Sequence, residues 1–253
     1  MTVSDPVRLT GSDADLHLYV DSKVWHLVRE LAIDFIGDSD GEMVVGTVSA
    51  FHPELLPDAV GAERLLDQHW IVHVSGDSNS RQGTERAFFA CIADHYELEV
   101  DPERNCDNVR GLLGHLQTPR GSTILDFGCG PGLSLRVAGP YHLVGCDVSA
   151  TMRARARANG LATIEPMDLR SHEDSFDGMF ASYVFHLVVP EEDLLAAVRC
   201  IRRGGRIAIN FHKGCGLKEV ESAMTQDEGL RELAVSPREH PIHGSIRVWQ
   251  RGQ

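Results

Sequence analysis

The segment Ile124–Gly132, ILDFGCGPG, constrains this chain more than any other. An apolar run enters glycines at every second position, Gly128, Gly130 and Gly132. Glycine adopts dihedrals closed to other residues and lets a ligand approach with no Cβ in the way. A helix predicted directly after the loop aims its unpaired amides at whatever lies over it. The pattern is therefore a cradle for a nucleotide-type ligand. It is not G-x-G-x-x-G, because the sixth position is Leu133, and no Lys-Ser or Lys-Thr follows as in a phosphate-binding P-loop.

Around this loop, short apolar runs alternate with helical segments. The runs are STILDF (122–127), YHLVGCD (141–147), LATIEP (161–166), FDGMFASYV (176–184) and RIAINFH (206–212). Helices are predicted near 131–138, 149–158, 190–202 and 215–228. Strand and helix in alternation imply an α/β fold, a mostly parallel sheet with helices on both faces. LAVSPREH (233–240) and GSIRVWQR (244–251) are separated by a short turn, so they pair as a C-terminal antiparallel hairpin. Upstream, TERAFFACIADHYE (84–97) reads as a helix opened by Thr84, and 108–116 as another. The turn-forming cluster GDSNSRQG (76–83) marks the domain boundary. Residues 1–83 form an N-terminal α+β extension, and 84–253 the main domain. Within the extension, residues 1–20 start irregularly and 21–36 form an amphipathic helix capped by Asp21. A strand at 43–51, a short helix within 52–68 and a strand at 69–75 complete it.

Composition narrows the partners. The 253 residues are 42% hydrophobic and 24% charged, enough for a sizeable core, which excludes disorder over most of the chain. No apolar run approaches the ~18 residues of a membrane span, and the acidic first 30 residues are no signal peptide. No membrane partner and a cytoplasmic location are expected. The net charge of −13 is concentrated in residues 1–110, which hold 21 acidic and 8 basic side chains. A chain so charged offers no basic footprint, so no nucleic acid is expected as a partner. Arg153, Arg155 and Arg157 read as a solvated helix face. Six cysteines with no C-x-x-C pair imply reduced thiols and no metal.

Two carboxylates extend the cradle. Asp147 ends the second apolar run, where an acidic side chain accepts hydrogen bonds from ribose hydroxyls. Asp168 follows the third run, placed to accept from an adenine amine while Met167 and Leu169 flank the ring. With these in place, DFGCGPG, CDVS, MDL, FDGMFASYVFHLV and RRGGRIAI resemble, in order, the motifs of class I S-adenosylmethionine-dependent methyltransferases of the small-molecule type. The helix AFFACIADHYE resembles the segment preceding the glycine loop in such enzymes. The resemblance covers residues 84–253 and implies a Rossmann-like fold with S-adenosyl-L-methionine as cofactor. It implies cofactor contacts at Asp126, Gly128, Cys129, Gly130, Asp147, Val148, Met152, Met167, Asp168, Leu169 and Ser182, with Asp126 organising the loop. The segment from Gly132 to Asp147 is short for the family, so its helix is expected to span two turns.

The acceptor site is expected outside the carboxyl ends of the strands. His186 and His212 fall there as candidates for a base or substrate ligand, His186 also as a shelf beneath the cofactor. Tyr96, Tyr183, His240 and His243 are candidate substrate contacts. The absence of Asn-Pro-Pro-Tyr or Asp-Pro-Pro-Tyr after the fourth run, where ASYVFH stands, favours methylation of O, N or C of a small molecule, with bacterial specialised metabolism as the setting that composition and the resemblance suggest. The rival readings are an RNA or protein methyltransferase and a non-catalytic cofactor-binding module docking a protein partner. The extension is expected to act as a lid or to form a homodimer.

Overall fold

Alternating apolar residues in LHLYVD make the first strand, β1 (Leu16–Asp21), with Leu16, Leu18 and Val20 buried. The computed structural model describes residues 15–252 except 40, 67, 227–228 and 236–238. The chain divides into two units, one through Cys91 and the other from Ile92. In the first, Asp21 caps α1 (Ser22–Val28) by accepting the Lys23 amide at 2.8 Å. There follow β2 (Ala32–Ile33), β3 (Ile36–Ser39), β4 (Met43–Val48), β5 (Ala50–Phe51), β6 (Val60–Leu66) and β7 (His69–Val74). The main sheet runs β3-β4-β1-β7-β6, with β1 parallel to β7 and antiparallel to β4.

Three expectations for this unit are corrected. Residues 16–20 are not irregular but form the central strand. The helix expected over 21–36 ends at Val28, because Ala32–Ile33 pair with Ala50–Phe51 and Ile36–Ser39 pair with β4. The helix expected within 52–68 shrinks to one 3₁₀ turn, Pro53–Leu55, and Val60–Leu66 pairs with β7 as an edge strand. Its exposed Glu63 and Arg64 suit an edge, where charge discourages further pairing.

Helix α2 (Ser78–Ile92) also starts earlier than expected. The Asp77 carboxylate accepts the amides of Asn79 and Ser80 at 3.0 and 3.1 Å, so the turn-forming cluster is the first turns of the helix. Thr84, expected to open it, is buried inside, its hydroxyl donating to the Ser80 carbonyl.

The second unit contains α3 (Tyr96–Glu99), α4 (Pro102–Leu116), β8 (Thr123–Phe127), β9 (His142–Cys146), α5 (Ala150–Ala158), β10 (Ala162–Ile164) and β11 (Phe176–Ala181). It ends with α6 (Glu191–Arg199), β12 (Ile201–Phe211), α7 (Leu217–Gln226), β13 (Leu230–Leu233), β14 (Glu239–His240) and β15 (Gly244–Arg251). The sheet order is β10-β9-β8-β11-β12-β15-β13. Strands β10 to β12 pair in parallel, and β15 runs antiparallel to both β12 and β13. The expected hairpin is present as the β14–β15 pair, while β13 takes most of the outer edge of β15. The expected helix after the glycine loop is only a 3₁₀ turn, Leu133–Val137.

Side-chain alternation makes the sheet two-faced. Ile124, Phe180, Ala208 and Val248 share one core with Val109, Leu112, Leu113 and Leu116 of α4. Leu125, Met179, Ile207 and Trp249 share the other with Leu194 and Val198 of α6 and Val220 and Met224 of α7. Strand order reverses between β8 and β11, and ligands of open α/β sheets bind outside the carboxyl ends at such a point. Among the described residues, no helix is long and apolar enough to cross a membrane.

Candidate cofactor and acceptor site

Strand β8 delivers Asp126 and then Gly128 to that point. The amides of Gly128 and Cys129 both donate to the Cys146 carbonyl, at 2.7 and 3.1 Å, which ties the loop to the end of β9. Gly128 has φ 76°, and a Cβ on it would lie 2.3 Å from Val184 Cγ2. Gly130 has φ 51°, and the nearest atoms to a Cβ there are those of the Tyr96 ring, at 3.9 Å. Space therefore remains over Gly130, with a phenol as its roof.

Asp147 is the hub of the cradle. One carboxylate oxygen accepts the Gly130 amide and the other the Ser149 amide, each at 2.8 Å. Each oxygen keeps a lone pair for a further donor. This arrangement fits a vicinal diol, as ribose presents. Burial raises the Asp147 pKa above its ordinary value, and the two amides and Arg153 oppose that rise. Arg153 is not on a solvated face. It is buried, donating to the carbonyls of Asp147 (2.8 Å) and Val148 (3.2 Å) and pairing with Glu165 at 2.8 Å. Arg155 and Arg157 are exposed as expected. Asp126 is buried and accepts the Ser134 hydroxyl at 2.5 Å, and desolvation still pushes its carboxyl up to about 7. Burial raises the thiols of Cys129 and Cys146 as well, so both remain protonated.

The remaining cradle residues divide by exposure. Val148, Met167 and Asp168 are exposed, whereas Met152 and Leu169 are buried. Leu169 lies in the core beneath α6, so its side chain does not flank a ring together with Met167. Both sit in a 3₁₀ turn (Pro166–His172), where three residues complete a turn and positions two apart face different ways. Tyr96, expected at the acceptor, lies over Gly130. Burial, Asp147 and Asp126 together raise its hydroxyl pKa, so the phenol stays neutral. Ser182 accepts from the Asn108 amide at 2.8 Å.

Beyond β11 the side chains expected at the acceptor converge. Tyr183 has φ 56°, a left-handed conformation that costs a non-glycine residue roughly 1–3 kcal/mol. Asn210, at the end of β12, holds it there: its Oδ1 accepts the Tyr183 amide at 2.7 Å and its Nδ2 donates to the His243 carbonyl at 2.9 Å. The Tyr183 hydroxyl meets His243 Nδ1 at 2.5 Å, and His243 Nε2 meets Asp107 Oδ2 at 3.2 Å. Arg104 donates from Nε to the Tyr183 hydroxyl at 3.3 Å and from Nη2 to the Ile242 carbonyl at 3.0 Å. The His212 ring stands edge-on to Tyr183 at 5.7 Å, and His240 stacks on His243 at 4.2 Å. Burial lowers the pKa of both His212 and His243, and Arg104 adds to the effect on each. His186 lies three residues beyond Tyr183 and is half-buried. Asp107, His240 and His243 bring polar atoms within 4.8 Å of one another. Both His243 nitrogens are already hydrogen-bonded and His240 Nδ1 accepts the amides of Ile242 and His243, so the group is a hydrogen-bonded cluster. A cleft of about 720 Å³ flanks it, lined in part by Asp101, Arg104, Asp107, Arg136, Ile242 and His243.

Arg104, Asp107, Asn108 and Asn210 were missed in the sequence. The first three lie on α4 at i, i+3 and i+4, one polar face of a helix that starts at Pro102 and not at 108. That spacing was the available signal.

Residues 125–209 match the methyltransferase domain family. A human protein named "Probable tRNA methyltransferase 9B" is 30% identical over 147 residues, 49% of this chain and 32% of its own. The cattle protein of that name is 30% identical over 95 residues, 35% of this chain and 21% of its own. This chain thus spans about a third or less of the curated relatives it matches. Among solved structures, the 1,6-didemethyltoxoflavin-N1-methyltransferase of Burkholderia thailandensis shares the fold. The TM-score is 0.56 at 15% identity, covering 76% of this chain and 99% of that one.

Proposed function

Because the chain carries a class I S-adenosylmethionine-dependent methyltransferase domain, we propose that it transfers a methyl group from S-adenosyl-L-methionine to O, N or C of a small molecule. The bound donor supplies a methyl already activated by its sulfonium charge, so the protein's task is positioning and proton removal. Asp147 takes the ribose hydroxyls, and its paired amides with spare lone pairs are the observation that carries this reading. Gly128, Cys129 and Gly130 line the donor with backbone, under Tyr96. Val148, Met167 and Asp168 stand open at the adenine end, while Met152, Leu169 and Ser182 support the walls from behind. Asp126 organises the loop through Ser134.

A small acceptor suits the volume of the cleft, since ligand pockets of about 300–1,000 Å³ are usual for such molecules. His212, kept neutral by burial, faces the Tyr183 ring as a substrate ligand. His212→Ala is expected to lower kcat while leaving cofactor affinity within about twofold; unchanged turnover removes it from the acceptor site.

Calorimetric titration with S-adenosylhomocysteine, followed by transfer of labelled methyl to a panel of small hydroxyl and amine compounds, tests the reading. Micromolar binding at one site per chain with a labelled product supports it. No binding at millimolar ligand overturns it. The tRNA methyltransferase relatives favour a second reading, an RNA acceptor, so total tRNA belongs in the same panel. The acidic excess of residues 1–110 speaks against it. Binding without turnover on any acceptor would favour a docking module. The first unit is assigned a lid or dimer role, which light scattering of the full chain tests for the dimer.

A further inference from the structure

We propose that Tyr183, His243 and Asp107 form a proton relay that acts as the general base for the methyl acceptor, and that the acceptor loses an O–H or N–H proton on transfer. The inference rests on the methyltransferase reading above.

The geometry is that of a triad with a phenol in place of an alcohol. The Tyr183 hydroxyl lies 2.5 Å from His243 Nδ1, and His243 Nε2 lies 3.2 Å from Asp107 Oδ2, a carboxylate oxygen that only accepts. These two bonds select one tautomer, with the proton on Nε2 and the lone pair on Nδ1. Arg104 Nε lies 3.3 Å from the phenol oxygen, where it favours negative charge developing there.

Position and strain agree with the assignment. Tyr183 sits between Ser182 and Val184, and Val184 is the residue packed on Gly128 of the donor loop. Tyr183 has a left-handed backbone, and its hydroxyl reaches His243 in the hairpin turn. Asn210 binds the backbone of both Tyr183 and His243, so a single buried amide indexes the two relay members. Strain held by such over-determination marks sites where placement matters.

The acceptor X–H proton moves to the Tyr183 oxygen as the Tyr183 proton moves to His243 Nδ1. The lone pair on X forms the X–CH₃ bond, and the pair from the breaking S–CH₃ bond stays on sulfur. The imidazolium faces the Asp107 carboxylate until it returns its proton to water. The charged and titratable groups around the relay are Asp101 at the cap of α4, Arg104, Asp107 and Arg110 on α4, with Arg110 Nη1 3.8 Å from Asp107 Oδ1, His212 and Lys213 after β12, and His240 on the hairpin. Burial, then His240 and Arg104, lower the His243 pKa and favour a neutral resting imidazole, while the Asp107 carboxylate favours its protonation.

The first test needs no acceptor. Long-range ¹⁵N–¹H NMR of the full chain reads the His243 tautomer directly. The Nε2–H form is expected in the wild type, with the Nδ1 resonance moved in Tyr183→Phe and tautomers mixed in Asp107→Asn. A wild-type Nδ1–H form, or spectra indifferent to both changes, overturns the relay. The second test uses any acceptor methylated in the panel. Tyr183→Phe is expected to lower kcat at least 100-fold, with KM and S-adenosylhomocysteine affinity within about threefold. The wild-type rate should rise with pH as His243 loses its proton, and His243→Gln should abolish that rise. Full kcat in Tyr183→Phe, or loss of wild-type activity on adding EDTA, overturns the proposal. Failure to bind S-adenosylhomocysteine would count against the methyltransferase reading, and the tautomer measurement would still decide the relay geometry.

Discussion

Burial raises the pKa of both carboxylates flanking the loop, and their hydrogen-bond partners oppose it differently. Asp147 is met by two backbone amides, which favour its charged form, and it borders space that a ligand can enter. Asp147→Ala is expected to weaken S-adenosylhomocysteine binding at least ~10-fold, since a charge-assisted hydrogen bond contributes about 1.5–3 kcal/mol; titration calorimetry reads this, and unchanged affinity would displace the ribose from Asp147. Asp126 is enclosed and has one hydroxyl partner, so its pKa rises from 3.8 to about 7. In the unfolded chain the same group ionises near its ordinary value. Between those two pH values the folded state binds a proton that the unfolded state has released. The favourable contribution is therefore complete below about pH 4 and is lost as pH rises through 7. Unfolding free energies measured by denaturant from pH 5 to 8 should fall in the wild type relative to Asp126→Asn, by an amount on the order of a few kcal/mol. Parallel curves for the two proteins would show that the carboxyl is not buried in this way. At this scale the sequence was a good guide to which residues come together and a poor one to which way they point. Leu169 and Tyr96 carry the difference, one turned into the core and the other over the loop.

Among the elements, the strand–loop–3₁₀ unit from β8 to Val137 is held by contacts to its neighbours more than by its own helix. The turn after the loop spans only Leu133–Val137, so the Cys146 carbonyl and Asp147 carboxylate do the anchoring. Val184 closes the loop from the β11 side. Gly128→Ala meets both a positive φ and that side chain, and is expected to cost roughly 2–5 kcal/mol. Adding Val184→Ala should return the overlap part and leave the backbone part, which thermal denaturation of the single and double variants resolves. Full recovery would mean that φ at this position carries no strain. Helix α4 serves both purposes of the fold: its apolar face covers the sheet, and its Arg104–Asp107–Asn108 face reaches Tyr183, His243 and Ser182. The strands of the second unit were legible because each is a short apolar run ended by a turn former. The first unit was harder, since 21–36 satisfies a helical stripe while its second half is drawn into strand pairing with β4 and β5.

On the scale of the whole molecule, the second unit is a sheet buried on both faces, and its stability rests on the two side-chain cores. Leu112 is fully buried between α4 and the sheet, and Leu112→Ala is expected to cost about 2–5 kcal/mol, measured by denaturant unfolding. A loss below ~1 kcal/mol would mean that α4 is not docked as described. The parallel order with an antiparallel end places the ends of β8, β9, β11 and β12 beside one another, which is where the cradle and the histidine cluster form. By itself the sequence determined the cradle: an apolar strand, alternating glycines and an aspartate at the next strand tip lie within about two dozen residues, and local backbone chemistry suffices to join them. It also placed Tyr183, His212, His240 and His243 at one edge, because strand ends can be counted. Only the tertiary structure decided that His243 meets Asp107, 136 residues away, and that Asn210 braces Tyr183 in a left-handed turn. Those contacts follow from sheet register and from the side on which α4 packs, and no short stretch of chain contains either.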